Sequence, residues 1–320
     1  MTRPLEITPK APDAGLAAEI ATRVLGCTPT FVARFTTGMA HYVFDVAFAD
    51  RPPIVVRIGD ASARTRLTGA VHLSGLLRPR GVPLPAILAH DVQAELPWMV
   101  MDRLPGTDLG GVIASLSKQQ LGEIAAEVAR AQAITAETGS AARYGYACFP
   151  ERAPHAAWSG VLEESLTRSK ERMASAGLFY PGLVDIVHAE LVAVREEIDA
   201  IEPTPFLHDT TTKNVLVTPE GKFSGIVDVD ELCFGDGRYP VALTLAVLTA
   251  HFGGPLDYVS AWMREAGQDD DRIFQLYVAL FLLDLMSEHG HAFNGNVSAS
   301  TPEARAALLR AFQGRLSVMS

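Results

Sequence analysis

The stretch Phe206-Leu-His-Asp-Thr-Thr-Thr-Lys-Asn-Val-Leu-Val-Thr-Pro-Glu-Gly-Lys-Phe-Ser-Gly-Ile-Val-Asp-Val-Asp-Glu-Leu-Cys-Phe-Gly-Asp236 decides how the rest of the chain is read. It places Asp209 five residues before Asn214, and Asp228 near the end of the second of two short apolar runs, Asn214–Val217 and Phe223–Val229. Both runs read as strands, and Thr218-Pro-Glu-Gly-Lys222 between them has Pro and Gly in turn positions. A hairpin returns its second strand beside its first, so the spacing predicts that Asp228 comes back close to Asn214. Mg²⁺ takes oxygen ligands and is commonly held by one or two protein groups plus substrate phosphates. A loop aspartate near such a pair can orient an attacking hydroxyl and accept its proton. Asp209 is therefore the candidate catalytic base, with Asn214 and Asp228 as candidate metal ligands. A lone Asp in a loop would by default only cap a neighbouring N–H. Three oxygen-bearing side chains at these spacings favour chemistry.

Working outward, the 320 residues allow one large domain or two moderate ones. With 48% hydrophobic and 20% charged residues, a packed globular protein is expected. No run approaches the roughly 20 apolar residues that a membrane-spanning helix needs. The first residues lack the apolar core of a signal peptide, and three widely spaced cysteines suit reduced thiols in a cytoplasm. The first 104 residues carry two more basic than acidic side chains, and the remainder twelve more acidic than basic. That balance argues against a nucleic-acid partner. It suits either a cationic substrate or an ordinary acidic surface.

The central stretch resembles the aminoglycoside phosphotransferase family, antibiotic kinases with a protein-kinase-like fold. Asp209 and Asn214 fit the family's loop, roughly H-G-D-x-x-x-x-N, and Ile226-Val-Asp-Val-Asp-Glu-Leu-Cys-Phe-Gly-Asp236 fits its later segment ending in Gly-Asp. The family's His would fall at Leu207, and its Gly is replaced by His208. The resemblance covers residues 28–250 and implies an α+β fold of two lobes. Residues 1–103 would form a small antiparallel-sheet lobe that binds nucleotide. Residues 104–320 would form a larger, mostly helical lobe with the catalytic loop and substrate pocket. It also implies ATP or GTP with Mg²⁺, and a small hydroxylated acceptor, an antibiotic of aminoglycoside or macrolide type. A metabolite alcohol or sugar is the alternative within enzymes. A non-catalytic kinase-like binding module is the alternative outside them.

Within the first lobe, residues 30–48 read as strand, turn, strand, and Pro52–Ile58 as a third strand. The resemblance makes Gly38 the point of close approach to nucleotide phosphates, although a plain hairpin turn explains one glycine equally. Arg57 falls where kinases use Lys. It reads either as a phosphate grip or as a solvent-facing end of strand. The next helix should supply a Glu to pair with it, yet residues 61–90 contain no Asp or Glu, and Gly69 or Ala70 occupies the expected place. Trp98–Met101 reads as a buried strand, with the backbone around Met101 and Arg103 implied to meet a nucleobase.

Helices are expected over 13–25, from a capping box at Ser117–Gln120, over 155–176, 181–201, and 302–316 with Ala306, Leu309 and Phe312 inward. Lys213 could reach a phosphate oxygen or face solvent. Strand alternation puts Asp230 on the face of Asp228, within reach of a metal's surroundings, and Glu231 follows. Both also suit turn or capping roles. Asp284 and Glu288 share one face of an otherwise apolar helix, lining a substrate pocket or pointing to water.

Overall fold

The computed structural model describes residues 11–35, 41–251, 256–293, 296–297 and 300–319. It divides into two compact units, Met1–Thr68 with Ala86–Arg103, and Gly69–Pro85 with Leu104–Ser320.

The first unit is a five-stranded antiparallel sheet with one helix against it. Helix α1, Ala14–Leu25, is started by Asp13, whose side chain accepts from the Leu16 N–H at 3.0 Å. It is closed by Gly26 at φ 70°. Strands β1 (Phe31–Arg34), β2 (Tyr42–Ala47) and β3 (Ile54–Ile58) run in order. The chain then enters α2, Arg64–Leu77, and returns as β4 (Ile87–Asp91) and β5 (Trp98–Asp102). The sheet order is β1-β2-β3-β5-β4. Ala17, Ile20 and Ala21 of α1 pack on Phe44, Val56 and Val100, with Leu16 and Val24 partly buried beside them.

The second unit begins with β6 (Thr107–Asp108) and the short helix α3 (Leu109–Val112). Gly106 sits at φ 96°, and a Cβ there would fall 1.8 Å from the Val217 carbonyl oxygen, so only glycine allows this approach. Helix α4, Lys118–Ala136, opens with the Ser117–Gln120 capping box and buries Leu121, Ile124, Ala125 and Val128 as the spacing predicts. Strand β7 (Gly145–Ala147) and helix α5 (Trp158–Ala176) follow. The helix expected over 181–201 is two pieces, α6 (Leu183–Ala193) and α7 (Arg195–Asp199). The break lies at Val194. The second piece is held instead to α5, where Asp199 accepts from the Ser159 N–H at 2.9 Å and Arg195 pairs with Glu163.

Strands β8 (Thr204–Phe206), β9 (Val215–Val217), β10 (Phe223–Ile226) and β11 (Leu232–Gly235) complete two small sheets, ordered β10-β9-β6 and β7-β11-β8. Helices α8 (Tyr239–His251), α9 (Leu256–Ala266), α10 (Arg272–Glu288) and α11 (Pro302–Met319) fill the remainder. Inward positions on α11 are Leu308 and Phe312 with Leu309 beside them, whereas Ala306 is exposed. Trp158, fully buried, donates from its indole to the Tyr277 hydroxyl at 2.8 Å, and that hydroxyl donates to Asp236 at 3.0 Å. Burial, then the Asp236 charge, push the Tyr277 hydroxyl well above its ordinary range, so it stays a donor. Arg238 grips Asp236 at 2.7 Å and Asp271 at 2.6 Å. The Gly235–Asp236 ending thus braces the entry to α8. Among the described residues no helix is long and apolar enough to cross a membrane.

Candidate active site

The loop that carries Asp209 leaves β8 at Leu207 and is fixed from several directions. Gln132, on α4, clasps its first residue. The Gln132 side-chain oxygen accepts from the Leu207 N–H at 2.9 Å, and its nitrogen donates to the Leu207 carbonyl at 2.7 Å and to the Thr210 hydroxyl oxygen at 2.9 Å. The three threonines are buried. Gly110 donates to the Thr212 carbonyl at 3.0 Å. The Thr211 carbonyl accepts from Asn214 N–H at 3.0 Å and Val215 N–H at 3.2 Å, turning the chain into β9. Such dense backbone satisfaction lets a loop hold one geometry although it is not a helix or a strand.

Within that frame Asp209 is partly exposed, and its Oδ1 accepts from the Thr211 hydroxyl at 2.9 Å. The Asn214 side-chain nitrogen donates to the Asp209 carbonyl at 3.0 Å. With the nitrogen so engaged, the Asn214 oxygen is turned the other way, available as a ligand. Val227 donates to the Asn214 carbonyl at 2.9 Å, so the hairpin brings the residue before Asp228 onto Asn214. Asp228 is at φ 63°, the sole non-glycine residue with positive φ among those described, and it is exposed. Backbone held in a sparsely populated region tends to mark functional positions.

Asp228 ends the strand-like alternation. The ladder stops at Ile226, and the left-handed turn sends Asp230 inward, to 9% exposure, while Asp228 faces out. The expectation that the two share a face is therefore corrected. Asp230 instead offers its carbonyl to the Cys148 thiol at 3.3 Å. A Cβ on Gly69 would lie 2.1 Å from that same carbonyl oxygen and 2.2 Å from the Cys148 sulfur. Of the two places where the Glu was expected, Gly69 thus has no room for a side chain, and Ala70 is a buried methyl. Glu231 is half-buried, and its charge helps raise the thiols of Cys148 and Cys233 after burial, the larger cause for both.

Lys213 is exposed. Asp284 does not simply face water. Its Oδ1 meets Arg168 at 3.4 Å, Ser169 Oγ at 3.3 Å and Arg172 at 4.0 Å. Burial, then the Asp284 charge, raise the Glu288 carboxyl, with Arg172 and Lys213 pulling it down and Asp209 adding to the rise. The charge of the candidate base is thus felt at Glu288. Tyr146, whose ring meets that of His208 edge-on at 5.0 Å, lies in the field of Asp284 and Arg168 and has its hydroxyl pushed well up, chiefly by burial.

In the first unit, Arg57 is 5% exposed and sits opposite Val43 and Met99 in the ladder, so it is not a solvent-facing strand end. Met101 is paired with Val55 on one side and Ile87 on the other, which leaves Arg103 as the first residue past the strand. The Arg103 side chain holds Asp45 at 2.9 Å. Gly38 lies outside the described residues.

Among the described residues no group of three or more His, Cys, Asp or Glu side chains could hold a metal ion. One carboxylate and one amide oxygen on a hairpin fit instead a hard cation completed by phosphate oxygens, as Mg²⁺ is.

An antiparallel sheet unit, a helical unit, and a pinned loop followed by an acid-bearing hairpin define a small-molecule kinase of protein-kinase-like fold. The chain belongs to the APH phosphotransferase enzyme family, whose model matches residues 32–273. No curated protein sequence matches it. Among solved structures it is similar to a thermostable mutant of aminoglycoside phosphotransferase APH(4)-Ia in ternary complex with ADP and hygromycin B. That match has 16% identity, 94% of this chain and 97% of that one covered, and TM-score 0.65. It is also similar to a putative fructosamine-3-kinase from Thermobifida fusca YX-ER1, at 20% identity, 94% and 98% covered, TM-score 0.63. A third is the ADP-bound aminoglycoside phosphotransferase APH(2'')-Ib, at 10% identity, 96% and 99% covered, TM-score 0.64. At these identities the likeness is one of fold.

Proposed function

We propose that the protein transfers the γ-phosphoryl group of ATP or GTP to a hydroxyl of a small molecule, an antibiotic or a metabolite alcohol. The observation that carries this reading is the Asp209 loop, pinned by Gln132 and joined to Asn214 and Asp228 through a hairpin. Family membership supports nucleotide use, and ADP in the APH(4)-Ia and APH(2'')-Ib structures agrees with it.

Thr211 occupies Oδ1 of Asp209, so Oδ2 accepts the hydrogen bond of the acceptor hydroxyl and aims its oxygen at the γ-phosphorus. As the acceptor oxygen bonds to phosphorus, the bond from phosphorus to the β–γ bridging oxygen breaks and the nucleoside diphosphate leaves. The hydroxyl proton passes to Asp209 and then to solvent. The Asn214 and Asp228 side-chain oxygens would hold Mg²⁺, which when bound neutralises charge on the phosphates. Arg57 is the first unit's cation for phosphate oxygens, and the backbone from Arg103 onward its partner for the base. Lys213 adds a second cation near Asp209. The free thiols of Cys27, Cys148 and Cys233 suit a reducing, cytoplasmic setting.

The test is nucleoside diphosphate release with Mg·ATP and Mg·GTP over a panel of hydroxylated antibiotics and metabolite alcohols. Asp209→Ala should lower turnover by about 10²–10⁴-fold while leaving nucleotide affinity nearly unchanged. An Asp209→Ala enzyme as fast as the parent removes the base assignment.

A further inference from the structure

The sheet of the first unit commits one face to packing. Phe44 and Val46 of β2, Val56 and Ile58 of β3, and Val100 of β5 are sealed with α1. Successive side chains of a strand alternate, so their neighbours turn to the opposite face. The register sets these neighbours in rows across three strands. Val43, Arg57 and Met99 make one row, and Asp45, Val55 and Met101 the next. Rows two residues apart lie about 7 Å from each other along the strands. Val55 and Met101 are half-buried, unlike the covered side chains on the α1 face. Arg103, just past β5, donates from Nε to Oδ1 of Asp45 at 2.9 Å. Among the described residues, Oδ2 of Asp45 and the terminal nitrogens of Arg103 make no hydrogen bond.

This face therefore runs from the Arg57 cation, over apolar Val55 and Met101, to an acceptor and a donor held side by side. A nucleotide has the same order: anionic phosphates, a flat apolar ring, and a hydrogen-bonding edge. With the phosphates toward Arg57, the ring lies over Val55 and Met101, and its edge meets Asp45 and Arg103. A carboxylate only accepts and a guanidinium only donates. Guanine matches both: its N1–H and 2-amino group donate, and its O6 accepts. Adenine has one amino group on that edge, and its N1 is a lone pair, which a carboxylate repels. A site built to hydrogen-bond a group discriminates against the analogue that lacks it.

We propose that the phosphoryl donor is GTP in preference to ATP, and that Asp45, oriented by Arg103, is the residue that selects it. This rests on the kinase reading above, with Arg57 toward the phosphates, and names the base which that reading leaves open.

The experiment is calorimetry on the full-length protein with Mg²⁺, comparing GDP, ADP and inosine diphosphate, which lacks only the 2-amino group of guanine. Parent and Asp45→Asn proteins are titrated, and turnover with GTP and ATP is then read on the panel of hydroxylated acceptors. The parent should bind GDP about ten- to a hundredfold more tightly than ADP, with inosine diphosphate between them. Asp45→Asn should bring GDP and ADP within about threefold, because an amide accepts from the 6-amino group of adenine and donates to its N1. An ion pair this exposed, at 28% and 25%, adds little to stability, so the variant should fold as the parent does. The parent's own ranking of the three nucleotides decides without the variant. ADP or inosine diphosphate bound as tightly as GDP by the parent, or a parental GDP-to-ADP ratio in Asp45→Asn, overturns the proposal. Equal binding of GDP and ADP with turnover removes this inference and leaves the kinase reading standing. Selective GDP binding without turnover on any acceptor does the reverse.

Discussion

Removing the amide of Gln132 should slow phosphoryl transfer without loosening nucleotide. In Gln132→Ala, Leu207 loses partners for both its N–H and its carbonyl, and Thr210 loses a donor. Leu207 is 2% exposed, so water reaches its amide poorly. One buried donor left unpaired costs about 1–3 kcal/mol, and each further hydrogen bond contributes about 1 kcal/mol net. The sum, about 3–5 kcal/mol, is enough to let the loop shift rather than stay clasped. Displacing a reacting group by about 1 Å can cost on the order of 10²-fold in rate, and that is the fall in kcat expected. Nucleotide affinity should stay within about threefold, since a positioning residue of the loop touches no phosphate. Gln132→Glu, which keeps the acceptor for Leu207 but not the donors, should fall between parent and alanine variant. Stopped-flow turnover, nucleotide titration and hydrogen exchange at Leu207 read the three quantities. A Gln132→Ala enzyme with parental kcat and parental protection at Leu207 would refute the clasp.

Asp228→Gly should abolish Mg²⁺-dependent turnover yet leave the protein as stable or about 1 kcal/mol more stable by denaturant midpoint, because glycine adopts φ 63° without strain. A clear loss of stability would contradict strain at this position. Gly69→Ala should destabilise by about 1–3 kcal/mol, since its Cβ would meet the Asp230 carbonyl oxygen at 2.1 Å; unchanged stability would show that helix α2 can move away. Glu288, raised chiefly by burial, binds its proton more tightly folded than unfolded. Its contribution to stability is therefore lost as pH rises from the unfolded carboxyl range through the raised native value. Glu288→Gln should gain thermal stability relative to the parent at pH 7, a gain that disappears near pH 4; a pH-independent difference would contradict the buried-acid reading.

What the sequence disclosed was what lies close along the chain. Asp209, Asn214 and the hairpin occupy one short segment, and the Asp13 and Ser117 caps act within three residues. Gln132 was not legible, because its partner is 75 residues away and a glutamine on a helix carries no signal of its own. The inward turn of Asp230 was missed because period-two alternation holds only while the ladder lasts, and the left-handed residue at 228 ends it. The missing acid near Gly69 was visible, but its cause, a carbonyl and a sulfur from segments far along the chain, was not. Ala306 gave way to Leu308 on α11 because small and large apolar residues fit the same helical spacing, and volume decides which is buried.

The chain has three tryptophans. Trp98 belongs to the first unit, beneath the Arg23 guanidinium at 5.2 Å, while Trp158 and Trp262 are sealed in the second. Trp158, tied through its indole to Tyr277, is shielded from quenchers for as long as that unit stays folded. Intrinsic emission therefore carries two separable signals. Replacing Trp158 and Trp262 with phenylalanine would leave a single tryptophan, excited selectively at wavelengths beyond tyrosine absorption, reporting the sheet unit alone. Melting of one half could then be followed against the other without any added label.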